Sequence, residues 1–297
     1  MSDYIIASAS TADLPDTYYE EHHIPCIRYP YTIRDFYSNG ITEYEDDCKE
    51  SSREKAYLNM RKGFEYATSM INTAEYADFF RDLLRQGKDV LYLDMSKEMS
   101  SSYQASHQAA EIVQAEYPDH QLYLMDTRCI SGGLGLLVRE CVRRKESGMS
   151  FAEVVQWGEE NKLRIMHRFT VDDLKYLKRS GRVSNTSAII GAMLNIKPVL
   201  YVPDDGKLTV SRKVRGRKAA MRELVEGIKR DMCSPDGQTA IINHADCLAD
   251  AEWLRLEMLN AFPNMKDVLI SNLGVIIGAH CGPGLLTVFY FGDQRKP

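Results

Sequence analysis

The sequence predicts a two-domain α/β protein, with a parallel sheet and crossover helices in its first half and an α+β unit holding a mixed or antiparallel sheet in its second. Three observations carry this. Between Asp89 and Arg144, apolar runs of strand length alternate with helical patterns, the signature of a parallel sheet with crossover helices. After Arg164, strand-like runs come in pairs with short links, as antiparallel pairing requires. A length of 297 residues leaves room for two cores of ordinary size. The boundary is expected near residue 160, giving an N-terminal α/β domain over 1–160 and a C-terminal α+β domain over 161–297.

In chain order, Tyr4 to Ser8 reads as a short apolar strand, and Leu14-Pro15 opens a tyrosine- and glutamate-rich helix ending near His23. Ile24 to Arg28 resumes as a strand. The stretch from Arg34 to Glu50 is acidic and turn-rich, Ser51 to Lys62 is helical, and Tyr66 to Ser69 reads as a connection. Asn72 with Glu75 forms a capping box for a helix over Ala74 to Gln86, because each side chain can reach the other's backbone N–H. Next come a strand at Asp89 to Leu93, a helix at Ser100 to Glu116, a strand at Gln121 to Met125 and helices at Ser131 to Arg144 and Phe151 to Lys162. In the second half, a strand at Arg164 to Phe169 leads to a short helix capped by Thr170 with Asp173, a Gly181-Arg182 turn and an apolar segment over 188–194. Lys197 to Val202 pairs with Leu208 to Ser211, and Val275 to His280, read as a buried strand, pairs with Leu286 to Phe291. Helices at Lys218 to Arg230 and Ala249 to Ala261 separate these pairs.

With 44% hydrophobic and 27% charged residues the chain has a globular composition, and a net charge of −5 argues against a nucleic-acid surface built on bulk positive potential. No basic segment with a long apolar core opens the chain and no membrane-length apolar run appears, so a cytoplasmic location is expected. The seven cysteines are scattered without a C-x-x-C pair, which fits reduced thiols better than disulfides or a zinc site. There is no phosphate loop. SGGLGLLV, Ser131 to Val138, lacks the third glycine of a dinucleotide fingerprint, and H-E-x-x-H and G-x-S-x-G are missing. No cofactor is expected.

Four stretches remain as candidates for chemistry. In DMSKEMSSSYQAS, Asp94 to Ser106, three serines open a helix where a strand ends, and the free N–H groups of Ser101, Ser102 and Tyr103 with the macrodipole can hold an anion; Ser100 can equally be an ordinary N-cap. Thr68-Ser69 offers two hydroxyls before a capped helix, a pattern shared with ordinary turns. LKRSGRVSN, Leu177 to Asn185, sets cations around a glycine turn, as a solvated run also does. In GVIIGAHCGPGLL, Gly274 to Leu286, His280 stands before Gly282 and Gly284, whose backbone freedom lets a ligand approach; a structural histidine capping a turn is the alternative.

Taken together and in order, these stretches resemble the DegV family of bacterial fatty-acid-binding proteins. IIASASTADLP resembles its I-x-x-D-S-T-A-D-L-P opening, ATS its Thr-Ser-Gln-Pro segment and MSKEMSSSYQAS its S-S-x-L-S-G-T-Y-Q-S-A helix start. MDTRCISGGLGLLV, LKRSGRVS with KPVL, and GAHCGPGLLTVFYFG complete the set, which spans residues 4 to 292. The resemblance implies a long-chain fatty acid held between two α/β domains, and a role as the acyl-carrying subunit of an ATP-dependent fatty acid kinase. Thr68, Ser69, Ser100, Ser101 and His280 would then hold the carboxylate, and Arg182 would face the kinase. Transient contact with a membrane surface is a further expectation. Four positions depart from the family pattern: Ala9 replaces Asp, Met70-Ile71 replaces Gln-Pro, and Ser101 replaces Gly.

Elementary energetics agree with such a ligand. About fifteen methylenes gain on the order of 12 kcal/mol on leaving water, before binding entropy. The carboxylate must then be met by hydroxyls, free N–H groups or an imidazole, because its unpaired burial is prohibitive. A donated hydrogen bond from His280, with added charge were the ring cationic, fits that need, and the thirteen methionines offer adaptable packing. Two other readings stand beside this one. Ser100 and His280 can form the nucleophile and base of an acyl hydrolase or transferase, or the chain can bind another amphipathic anion.

Overall fold

Strand β1 (Tyr4–Ala9) is buried at every position, which is why its sequence is a continuous apolar run and not an alternating one. The computed structural model describes residues 4–35, 38, 40–183 and 195–297. β1 sits inside a parallel sheet of order β2-β1-β6-β7, where β2 is Cys26–Ile27, β6 is Asp89–Asp94 and β7 is Leu122–Asp126. Helices α1 (Asp16–Glu21), α2 (Glu50–Arg61), α3 (Thr73–Leu84), α4 (Ser102–Glu116), α5 (Gly132–Glu146) and α6 (Phe151–Asn161) accompany it. The Asn72 and Glu75 box is formed at the start of α3: the Asn72 side chain accepts from the Glu75 N–H at 3.0 Å and the Glu75 carboxylate from the Asn72 N–H at 2.9 Å.

A three-stranded antiparallel sheet of order β4-β3-β5 is inserted between α1 and α3, formed by β3 (Pro30–Arg34), β4 (Ile41–Glu45) and β5 (Glu65–Thr68). The second half builds a six-stranded mixed sheet of order β10-β9-β8-β13-β11-β12. Its strands are β8 (Ile165–Thr170), β9 (Ile196–Tyr201), β10 (Thr209–Arg215), β11 (Thr239–His244), β12 (Asp267–Asn272) and β13 (Leu286–Phe291). Helices α7 (Leu174–Ser180), α8 (Arg217–Asp231), α9 (Leu248–Ala261) and α10 (Val275–Cys281) complete it. All pairs in this sheet are antiparallel except β11 with β12.

Helix α5 packs against both the parallel and the mixed sheet, and its glycines explain how. A Cβ on Gly132 would lie 2.3 Å from Asn243 Oδ1, and one on Gly133 would lie 2.2 Å from His167 Nε2. The SGGLG stretch is therefore a close-approach surface for the second sheet, not a remnant of a nucleotide loop.

Several expectations are corrected. Val275 to His280 is a helix, not a strand, and β13 pairs instead with β8 and β11. Seven apolar-rich residues do not distinguish a buried strand from a buried helical turn by pattern alone. Tyr66 to Thr68 belongs to strand β5, and the acidic stretch after Arg34 contains β4, whose edge position leaves it exposed. The strand expected over Ile24 to Arg28 shortens to Cys26–Ile27. The cap of α7 is Asp173, which accepts from the Lys175 N–H at 2.9 Å, and not Thr170, which ends β8. Strands β11 and β12 had no counterpart in the expected elements. The apolar segment 188–194 lies outside the described residues, as do Ser184 and Asn185.

Candidate functional site

Thr68, the last residue of β5, is brought to His280 of α10 by two separate packing constraints. Gly278 lets α10 approach α2 so closely that a Cβ there would lie 2.3 Å from the Tyr57 hydroxyl, which donates to the Leu273 carbonyl at 2.8 Å. At the other end, Gly282 at φ +75° leaves room for the Tyr176 ring of α7, and Gly284 at φ +88° turns the chain toward β13. The backbone freedom expected of these two glycines is thus used. His280 Nε2 ends 2.8 Å from Thr68 Oγ1.

Burial pushes the His280 pKa down to about 4, helped by the nearby Arg182 and Arg179 cations. The ring is therefore held neutral at physiological pH, and the condition for added charge, a cationic ring, is not met. A neutral imidazole and a hydroxyl bring one polar hydrogen each, and their mutual bond uses one. The pair keeps a spare donor.

These two residues lie on the wall of a cavity of about 210 Å³. Ser69, Ser100, Ser101 and Arg182 line it as well, so every residue singled out in the sequence as a head-group ligand reaches the same space. Arg182 is exposed and its guanidinium donates to the Ser180 carbonyl at 2.5 Å. The inner wall is apolar: Met95, Ile130, Phe169, Leu285 and Phe289 contribute to it, with Met70 and Met99 toward Ser101 and Arg182. Three of the thirteen methionines therefore touch the cavity, and the others fit ordinary packing.

The serine-led helix start differs in detail from the expectation. The Ser102 N–H is taken by Ser100 Oγ at 3.2 Å and the Tyr103 N–H by the Ser100 carbonyl at 3.4 Å, so of the three N–H groups only that of Ser101 has no acceptor among the described residues. Ser100 does act as a local cap. Two departures from the family pattern meet here, because the Ser101 hydroxyl donates to the Met70 sulfur at 3.6 Å. The Ala9 carbonyl accepts from the Tyr19 hydroxyl at 2.9 Å.

Three further residues line the cavity, of which Tyr29 and His167 had no signal in the sequence and Ser131 appeared only within the SGGLGLLV stretch. Tyr29 sits on the short link between β2 and β3 and is buried against Ser100 and Ser102. His167, from β8, accepts the Ile130 N–H at Nε2 (3.2 Å) and donates from Nδ1 to the Ile165 carbonyl (3.0 Å), so its neutral tautomer is fixed; burial and Arg295 hold its pKa well below the ordinary value. Ser131 donates to Asp13 Oδ2 at 2.5 Å. Burial lifts Asp13 to about 7 against the opposing pull of Arg53, whose guanidinium, itself fully buried, donates to the carbonyls of Asp13, Leu14 and Asn272.

The hydrolase alternative requires Ser100 bonded to His280. Instead Ser100 Oγ accepts from Ser102 and the imidazole is bonded to Thr68. Among the described residues no group of three or more His, Cys, Asp or Glu side chains is placed to hold a metal ion, all seven cysteines are free, and no helix is long and apolar enough to cross a membrane.

Fold and site together define a class: mixed α/β proteins with a cavity whose wall combines apolar side chains with hydroxyls and a neutral imidazole. The chain belongs to the DegV family, since residues 5–293 match the family described as "Uncharacterised protein, DegV family". A DegV domain-containing protein of Clostridium perfringens is 38% identical over 298 residues, covering 100% of both chains. A solved structure from Thermotoga maritima, described as revealing fatty acid binding function, superposes with a TM-score of 0.81 at 27% identity, over 99% of this chain and 100% of that one. A Thermus thermophilus DegV family protein, described by its fatty acid binding, gives 0.85 at 25% identity, over 98% of this chain and 99% of that one.

Proposed function

We propose that this protein binds a long-chain fatty acid, with the carboxylate at Thr68, Ser69, Ser100, Ser101 and His280 and the acyl tail along the apolar wall toward Phe169 and Phe289. The observation that carries the reading is the Thr68–His280 bond on the wall of a cavity that it shares with the serine hydroxyls and with an apolar face of Met95, Ile130, Phe169, Leu285 and Phe289. A buried hydroxyl–imidazole pair with a spare donor is suited to an anionic head, and methionines and branched side chains are suited to a flexible tail. The fatty acid binding described for the Thermotoga maritima and Thermus thermophilus proteins supports the same ligand class.

In this reading the ligand lies between an N-terminal lobe over residues 1–160 and a C-terminal lobe over 161–297. The parallel sheet ends at Asp126 and the mixed sheet begins at Ile165, which supports that division. The protein acts without chemistry of its own, presenting the carboxylate to an ATP-dependent fatty acid kinase, and the exposed Arg182 lies on the face offered to that partner. Its place of action is the cytoplasm, with passing contact at membranes where the lipid is collected.

Extraction and mass identification of lipid from protein purified out of bacterial cells tests the ligand. A stoichiometric long-chain fatty acid supports the proposal. Protein carrying no acyl ligand and failing to take one up, or steadily hydrolysing an acyl ester, contradicts it. For the partner, Arg182→Glu, loaded with lipid to saturation, is expected to slow acyl phosphate formation by an added kinase subunit and ATP.

A further inference from the structure

Behind Ser100 and Tyr29 on the cavity wall runs a chain of hydroxyls that ends on no carbonyl or carboxylate among the described residues. Tyr92 and Tyr76 are fully buried, and the Tyr92 hydroxyl donates to Tyr76 at 3.5 Å. Tyr76 lies 3.5 Å from the Tyr29 hydroxyl, its other hydrogen-bond partner. Tyr76 receives a hydrogen from Tyr92, and in the sense that passes its own on to Tyr29 the Tyr29 hydrogen is left for what lies ahead of it.

Ahead of Tyr29 are the hydroxyls of Ser100 and Ser102 and the cavity itself. Both serine oxygens already accept, Ser100 from the Ser102 N–H and Ser102 from the Ile71 N–H, each at 3.2 Å. No carbonyl or carboxylate among the described residues accepts from any of these five hydroxyls. A chain of this kind polarises toward its open end, where a charged acceptor gains more than a further hydroxyl does.

We propose that the Tyr29 hydroxyl is a further donor to the ligand head group, and that this polarised chain of hydroxyls favours an ionised acyl carboxylate over a neutral head on the same chain. The inference rests on the fatty acid reading above. A carboxylate brings about four lone-pair sites and no hydrogen, the complement of what the wall presents. An alcohol brings a hydrogen of its own and competes with Tyr29 and the serines for the same oxygens. Charge-assisted bonds to the carboxylate are also roughly twice as strong as neutral ones.

The test compares palmitate and hexadecanol binding to the full chain, by displacement of a fluorescent acyl probe, in wild type, Tyr29→Phe and Tyr76→Phe. Tyr29→Phe keeps the ring and removes the hydroxyl; it is expected to weaken palmitate about tenfold while moving hexadecanol by less than about twofold. Tyr76→Phe leaves the phenol of Tyr29 but cuts the chain behind it, and a smaller loss of about twofold to threefold for palmitate alone is expected. Palmitate affinity unchanged in Tyr29→Phe, or lost in parallel with hexadecanol, overturns the inference. Should Tyr29→Phe not fold, Tyr76→Phe decides, an unchanged preference for palmitate over hexadecanol being the contrary result. Failure of the wild type to bind palmitate at all would instead remove the parent reading.

Discussion

Thr68 Oγ1 and His280 Nε2 are 2.8 Å apart although 212 positions separate them in the chain, and this bond ties the small antiparallel sheet to helix α10 on the wall of the cavity. Each group keeps the other in place, and the pair retains one hydrogen for a ligand. Removing either partner should therefore weaken fatty acid binding. His280→Ala and Thr68→Val are each expected to reduce affinity about tenfold, the scale of one hydrogen bond to a charged acceptor, in a fluorescent acyl displacement assay. Their effects should fall short of additive, because each single change already breaks the shared bond. Full additivity in the double variant would count against a coupled pair.

The neutral state of His280 has a pH signature. Its pKa, pushed down to about 4 by burial with help from Arg182 and Arg179, puts no charge change between pH 6 and 8. His280 is therefore expected to contribute no pH dependence to fatty acid affinity over that window, so that wild type and His280→Ala share one profile shape there. A decline as pH rises through the ordinary histidine range, absent in His280→Ala, would mean that a cationic ring holds the ligand.

Asp94, buried at the end of β6, gives the opposite kind of linkage. Burial raises it to about 7, although Ser106 donates to it at 3.2 Å and the Met95 N–H at 2.9 Å. Its folded-state pKa lies above the unfolded value, so the protonated form is favoured in the fold. The stability this contributes is complete below the unfolded pKa and is lost as pH rises through about 7. In thermal unfolding, the melting temperature of Asp94→Asn relative to wild type should rise between pH 4 and pH 8. A constant difference across that range would show that Asp94 does not titrate there.

Arg53 should be among the costliest surface-remote positions to change. Its guanidinium donates to three carbonyls, one of them at Asn272 in the mixed sheet, and it stands beside the buried Asp13 and Asp46. Arg53→Met leaves both carboxyls without a cation, and a loss of about 3–5 kcal/mol is expected in chemical denaturation. A loss under about 1 kcal/mol would mean that neither acid depends on Arg53, contrary to the electrostatics described.

Gly133 is predicted to tolerate no side chain. A Cβ would fall 2.2 Å from His167 Nε2, the atom that accepts the Ile130 N–H. Gly133→Ala should cost about 1–3 kcal/mol in denaturant unfolding through overpacking. Wild-type stability in this variant would show that α5 can move off the second sheet.

Much of this was legible in the sequence where a local rule governs. The Asn72 and Glu75 box needs only residues three apart, and the alternation from Asp89 to Arg144 needs only period and length. The head-group residues were legible through a family pattern, not through physics, since two hydroxyls in a link and one histidine near glycines are common alone. What was hidden depends on long-range placement. The run before His280 is a helix because Gly278 fits against Tyr57 and Gly282 against Tyr176, contacts between residues more than a hundred positions apart that no window contains. Tyr29 gave no signal for the same reason: its neighbours Ser100, Ser102 and Tyr76 come from elements that only the fold assembles.

The most direct measurement uses palmitate carrying 13C at the carboxyl carbon, followed by NMR in the bound state. In wild type the carboxyl resonance should stay in its ionised position throughout pH 6 to 8, and His280→Ala and Thr68→Val should each shift it. A bound carboxyl resonance indifferent to both substitutions would place the head group somewhere else and contradict the account.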